Sequence, residues 1–399
     1  MKIRSTVRLA MPVLAAGGLA AGFVGASAGA GAAQRPLAAA PPIGVTSFNN
    51  TFSALAQLKP LAAQGSGNVT AILPDEVSSA RYVEFDAPYL KKALTTAGLT
   101  SSQITVENAL GSDATELNDA KAAITGGSKV LIMDPLDSGV GKQIETYAKA
   151  NGAQVIDYDR LTLGGARTYY VSFNNVNVGT LLGKGLVSCV ASWHVSKPDV
   201  LVMHGAATDN NATLFADGYN AVINPYFSSG KWTDAGHPAG TWTPSVAQQE
   251  FESAYSKNTN LNSALVPNDE NAAPIITYLK NQHVKPKTFP ITGQDATLVG
   301  LQNILGGYQC GTVYKPIYLE AGAAAALAVL LRAGVAPPAA LVNGTTSDSV
   351  EHKMVKSVLL TPEWVTAANM KSTVIADKFV PSSQLCAGAY ASACKSAGI

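Results

Sequence analysis

From Asn68 onward, short β-branched and aliphatic runs alternate with helical stretches. The first run is Val69-Thr70-Ala71-Ile72-Leu73-Pro74, and a helix through Leu90 and Ala93 separates it from a second run at residues 103–107. Further helices lead to runs at 129–135 and 154–160. Strands spaced by helix-length segments predict a parallel sheet covered on both faces, because parallel neighbours need a long crossover between them. Gly164-Gly165 breaks the pattern, which restarts at residues 169–175 and continues through 200–205, 263–269, 289–295 and 311–316. The restart predicts a second α/β lobe. Residues 34–67 show no such period and read as an irregular N-terminal extension.

The residues before that extension have a different character. Residues 1–33 open with Lys2, Arg4 and Arg8 and no acid, run through Leu9-Ala10-Met11-Pro12-Val13-Leu14, and end in Ala, Ser and Gly. This is the pattern of a secretory signal peptide, cleaved on export. Pro and Gly interrupt the stretch, which argues against a membrane anchor. No Cys lies in or near it to accept a lipid.

Composition narrows the function. The chain of 399 residues is 47% hydrophobic and 14% charged, too apolar for disorder. Removing the three leader cations turns a formal net charge of +1 into −2. With no basic cluster, a nucleic-acid partner is excluded. Four cysteines in an exported chain imply disulfides: Cys386 and Cys394 close a short loop in the 381–399 tail, and Cys189 pairs with Cys310 by elimination, buried free thiols being the rival. The five histidines, His194, His204, His237, His283 and His352, form no metal-ligand spacing, and neither a metal nor a cofactor is expected.

One regularity remains. Asp75, Asn108, Asp134, Asp159 with Arg160, Asn174, Asp209 to Asn211, Asn268 with Asp269, Asp295 and Lys315 all stand at the carboxyl ends of runs. In open α/β sheets, ligands bind outside those ends. Any one such residue can be a turn or helix cap, but the whole row offers donors and acceptors, and Tyr82 and Trp242 offer flat apolar faces. A sugar needs both, since each hydroxyl donates and accepts while its C–H face is apolar. Enzyme signatures are missing: no GxSxG, P-loop or GxGxxG follows a strand, and Gly126-Gly127-Ser128-Lys129 precedes one. Asp157 and Asp159 alone are weak grounds for a glycosidase.

The chain from about Val69 to Phe379 resembles the periplasmic sugar-binding proteins of ABC importers, with the D-xylose-binding subgroup nearest. The resemblance rests on Ser79-Ala80-Arg81-Tyr82, Tyr158-Asp159-Arg160, Val171-Ser172-Phe173-Asn174-Asn175, Asp209-Asn210-Asn211-Ala212, Asn268-Asp269, Gly293-Gln294-Asp295-Ala296, Thr312-Val313-Tyr314-Lys315-Pro316-Ile317 and Val358-Leu359-Leu360-Thr361-Pro362. It implies two Rossmann-like lobes with parallel sheets, joined by three crossovers and closing on one sugar in the cleft between them. Residues 68–168 with 318–356 would form the N-terminal lobe, and 169–317 with 357–380 the C-terminal lobe. The implied ligand-binding residues are Arg81, Tyr82, Asp159 and Arg160 from the first lobe. Asp209, Asn211, Trp242, Asn268, Asp295 and Lys315 come from the other side. Two departures stand out: the first strand ends Leu73-Pro74-Asp75 where the subgroup carries an Asn-rich run, and Tyr82 stands where Trp is common.

The implied function is capture of a monosaccharide, a xylose-like aldopentose or an aldohexose, and its delivery by a monomer to the membrane subunits of an ABC permease. Two other readings use the same features: a secreted sensor presenting bound sugar to a receptor, and a carbohydrate-active enzyme. Repressor effector domains share the two-lobe plan, but an export signal occupies the place where their DNA-binding helices would lie.

Overall fold

The computed structural model describes residues 39–399. The leader read over residues 1–33 lies outside them. In chain order the first part comprises α1 (Lys59–Gln64), β1 (Asn68–Leu73), α2 (Ala87–Thr96), β2 (Ile104–Asn108), α3 (Asp113–Thr125), β3 (Ser128–Met133), α4 (Ser138–Ala150), β4 (Gln154–Tyr158) and β5 (Tyr169–Phe173). The middle comprises α5 (Asn175–Ser192), β6 (Asp199–Val202), α6 (Asn210–Ser228), β7 (Thr233–Gly236), α7 (Pro244–Lys257), β8 (Ser263–Leu265), α8 (Asp269–Asn281), α9 (Leu298–Leu305) and β9 (Thr312–Tyr314). The last part comprises α10 (Ile317–Arg332), β10 (Gly344–Asp348), β11 (Lys353–Leu360), β12 (Glu363–Val365), α11 (Ser382–Leu385) and α12 (Ala391–Ser396).

The first sheet has the order β10-β11-β5-β4-β3-β1-β2, parallel throughout except for the antiparallel edge strand β10. The second lobe is built on β7-β6-β8. Single bridges, Ala264 to Ile291 and Gln294 to Val313, extend it through residues 289–295 to β9 and its antiparallel partner β12. The run at 289–295 makes no full ladder because Pro290 has no N–H to give and Asp295 turns to φ +88°. Both lobes place the strand after the first helix on the outer side of the first strand. The chain order therefore reverses at the first strand of each, which opens a crevice at its carboxyl end.

The chain passes between lobes after β5, between β9 and α10, and after β11. This corrects two expected boundaries. Strand 169–173 belongs to the first sheet, paired in parallel with β4 on one side and β11 on the other, and buried at all five positions. Residues 357–360, assigned to the C-terminal lobe, are the part of β11 that pairs with β5. The Gly164-Gly165 break is a helix-free link between neighbouring strands, held by hydrogen bonds from Gly164 N to the Asp348 carboxylate and by the Arg167–Asp348 ion pair.

The extension is also more ordered than the missing period implied. Phe52, Leu55, Leu58 and Leu61 recur every third residue, the repeat of a 3₁₀ turn, and are buried. They pack with α10, whose Ala-rich sequence is buried on nearly every face between this segment and the sheet. No helix among the described residues is long and apolar enough to cross a membrane.

In the second lobe α5 and α6 touch at the backbone. A Cβ added at Gly179 would overlap the Phe215 carbonyl oxygen, and one at Gly218 would overlap that of Val176. This interlock sets the N-termini of both helices side by side at the cleft. Disulfides join Cys189 on α5 to Cys310 ahead of β9, and Cys386 to Cys394 across the tail, the connectivity argued from the sequence.

Candidate functional site

The loop after β1 begins with a turn. Asp75 accepts hydrogen bonds from the backbone N–H of Val77 and Ser78, both at 2.6 Å, and from the Ser78 hydroxyl at 2.7 Å. Asp75 is thus spent on shaping the loop that delivers Ser79, Arg81 and Tyr82 to the cleft. From β4 come Asp159, with φ +57°, and Arg160. Across the cleft, Asp209 caps α6 and Asn268 caps α8 through their side-chain oxygens, so each sits at a helix N-terminus facing the opening. Trp242 is admitted because Gly205 lacks a Cβ, which would overlap the indole ring, and its Nε1 donates to Asp209 Oδ2 at 3.0 Å.

All ten residues expected at the site line one small cavity. Ser78, Ser79, Phe215 and Gln294 complete its wall. The lobes also touch directly around it. Ser79 Oγ donates to Asp295 Oδ2 at 2.9 Å, Ala80 N to Glu270 Oε1 at 2.9 Å, Asn268 Nδ2 to the Ser78 carbonyl at 3.1 Å, and Asn211 Nδ2 to the Asp159 carbonyl at 2.9 Å. These contacts define a closed arrangement of the two lobes.

Three cations, Arg81, Arg160 and Lys315, face three carboxylates, Asp159, Asp209 and Asp295. Lys315, on the second crossing, bridges the lobes at 3.6 Å from Asp159 and 3.1 Å from Asp295. Arg160 Nε lies 3.4 Å from Asp209 and 3.7 Å from Asp134. Burial alone would raise the Asp159 carboxyl, but Arg81, Lys315 and Arg160 together hold it well below the usual carboxylate range. Burial would likewise lower the Lys315 ammonium, and Asp159 and Asp295 reverse that. A lining with balanced charge suits a neutral polar ligand better than an ion. Gln294 Oε1 and Asp295 Oδ1 are buried with no hydrogen-bond donor among the described residues, Asp295 Oδ1 having only its ion pair with Lys315. Acceptors of this kind call for donors from a ligand.

Arg81 differs from the expected direct contact. Its guanidinium donates to Asp86 twice at 2.8 Å, to Glu320 at 2.6 Å and to Asp159 at 3.0 Å. One N–H of five is left for the cavity. The guanidinium ties Asp159 to Asp86 and Glu320. Sequence reasoning also missed Phe215, although it lies four residues after Asn211 on α6 and so on the same face. Its ring meets Trp242 edge to face, with centroids 6.4 Å apart. Among the other strand-end residues, Asn174 caps α5 and Asn108 Nδ2 bonds the Asp75 carbonyl.

The family model described as a periplasmic binding protein domain matches residues 70–335. The chain belongs to the periplasmic binding protein family. This binding protein is 36% identical over 294 residues to the D-xylose-binding periplasmic protein of Escherichia coli, covering 71% of the chain and 83% of that protein. A carbohydrate transporter solute binding protein of Chloroflexus aurantiacus, solved with D-glucose, has TM-score 0.71 and 26% identity and spans 79% of this chain and 97% of its own. An ABC transporter solute binding protein of Clostridium phytofermentans, solved with β-D-glucose, has TM-score 0.72 and 25% identity, covering 79% and 99%.

Proposed function

We propose that this periplasmic binding protein captures a neutral monosaccharide, a xylose-like aldopentose or an aldohexose, and delivers it to the membrane subunits of an ABC importer. The observation that carries the reading is the closed cavity whose charge-balanced lining comes from both lobes. Asp159, Asp209 and Asp295 accept from hydroxyls, Arg160, Lys315 and Asn211 donate to them, Asn268 gives its amide hydrogens to Ser78 and Glu270 and so shapes the wall, and the rings of Trp242, Phe215 and Tyr82 offer apolar surface to the C–H faces. A sugar that reaches both lobes binds the closed state more tightly than the open one, and that difference drives closure. The reading involves capture without turnover, by a monomer working outside the cytoplasm after loss of its leader.

A thermal-shift and calorimetry panel of neutral pentoses and hexoses, with sugar acids and amino acids as controls, tests it. One or two sugars are expected to raise the melting temperature with concentration, by about 2.7 kcal/mol of stability at a hundredfold excess over Kd. Binding of a charged control with no response to any neutral sugar would overturn the proposal.

A further inference from the structure

His204 and His237 are 33 positions apart. Neither takes part in the sugar cavity. β6 and β7 run in parallel, with Leu201 opposite Gly236, so the residues just beyond each strand meet at the same end of the sheet. There, His204 Nε2 and His237 Nδ1 stand 3.2 Å apart. Two nitrogens bound to one tetrahedral zinc at about 2.0–2.1 Å stand roughly 3.3 Å from each other.

The outer nitrogens are both engaged. His237 Nε2 bonds Asp234 Oδ2 at 3.0 Å, and the other oxygen of Asp234 accepts from Gly236 N at 2.9 Å, which holds the carboxylate in place. His204 Nδ1 bonds the Tyr219 hydroxyl. Metal-ligating histidines characteristically give their second N–H to such a partner, which fixes the ring and the tautomer. With Nε2–H of His237 on Asp234, His237 Nδ1 presents its lone pair to His204 Nε2, and the 3.2 Å gap holds either an N–H of His204, when the Tyr219 hydroxyl donates to Nδ1, or a cation in its place, when Nδ1–H is given to Tyr219.

We propose that His204 and His237 form a binding site for one zinc-like divalent ion. Imidazole ligands select zinc and its transition-metal neighbours over magnesium or calcium, which take oxygen. Among the described residues no cluster of three or more His, Cys, Asp or Glu forms a metal site, so water completes the coordination. The His237 side chain is 39% exposed and leaves the site open to solvent. The ion would fasten the end of β6 to the loop that carries Trp242, where Thr241 N already bonds the His204 carbonyl at 3.1 Å.

Isothermal titration of tag-free protein with ZnCl₂ and, separately, MgCl₂ tests the assignment. One zinc per chain is expected, with no magnesium heat. His237→Ala, an exposed substitution, should abolish zinc binding, and Asp234→Asn should weaken it about tenfold or more. A cooperative melt of each variant confirms that it is folded. His204→Gln serves as a second ligand deletion. Absence of stoichiometric zinc binding, or wild-type binding by folded His237→Ala, would overturn the proposal.

Discussion

Asp295→Asn isolates one charge in the cavity. Asp295 Oδ1 lies 3.1 Å from Lys315 Nζ, and Oδ2 accepts from Ser79 Oγ at 2.9 Å. Its backbone sits at φ +88°, in the left-handed region that Asn tolerates and Ala does not, at a cost to most residues of about 1–2 kcal/mol. Asn keeps the size and the backbone of the native residue but removes the negative charge. Lys315 then retains only Asp159, at 3.6 Å. A hydrogen bond to a charged group contributes about 1.5–3 kcal/mol, so a sugar hydroxyl that donates to Asp295 should lose roughly tenfold to a hundredfold in affinity. Calorimetry with the tightest sugar of the panel measures this directly, and melting curves without sugar should move less for Asn than for Ala. Wild-type affinity in Asp295→Asn would refute the assignment of this carboxylate to the ligand.

Gly179→Ala forces a methyl group into the Phe215 carbonyl and should cost about 1–3 kcal/mol, read as a lower melting temperature, while weakening sugar binding through displacement of Asn211. Burial pushes Glu116 up to about 8, above its value in an unfolded chain, so its stabilising contribution is complete below pH ~4 and is lost as pH rises towards 8; Glu116→Gln should flatten the decline in melting temperature across that window. Replacing Cys189 and Cys310 with Ser opens a loop with a sequence separation of 121 and should destabilise by about 2–5 kcal/mol, whereas the same change at Cys386 and Cys394, 8 apart, should cost less in denaturant titrations.

The cavity-lining residues were legible because an α/β sheet exposes the carboxyl ends of its strands and little else at that edge. Asp159, Asp209, Asn268 and Asp295 announce themselves by following apolar runs. Phe215 did not, since an aromatic residue on an amphipathic helix looks the same whether it faces core or ligand. Nor did the commitment of Arg81, because Asp86 and Glu320 reach it from elements far apart in sequence. The lobe boundary was misread at Gly164-Gly165, since a glycine break marks a turn without saying which sheet the next strand joins. That choice depends on long-range pairing of β5 with β11, nearly two hundred residues downstream. The nearness of His204 to His237 has the same origin: it follows from the register of β6 on β7, to which local spacing is blind.

The left-handed backbone at Asp159 and Asp295 also bears on how this scaffold can be retuned. Few side chains other than Asp, Asn and Gly settle at such positions without strain, so neutral drift and mutant libraries have a narrow alphabet at the two carboxylates that flank Lys315. Phe215 and Trp242 stand on backbone with no such restriction and line the same cavity. Selection for a new ligand should therefore accumulate changes at the aromatic wall while the acidic pair stays fixed, leaving lineages that differ in ring size and shape around a shared charged frame.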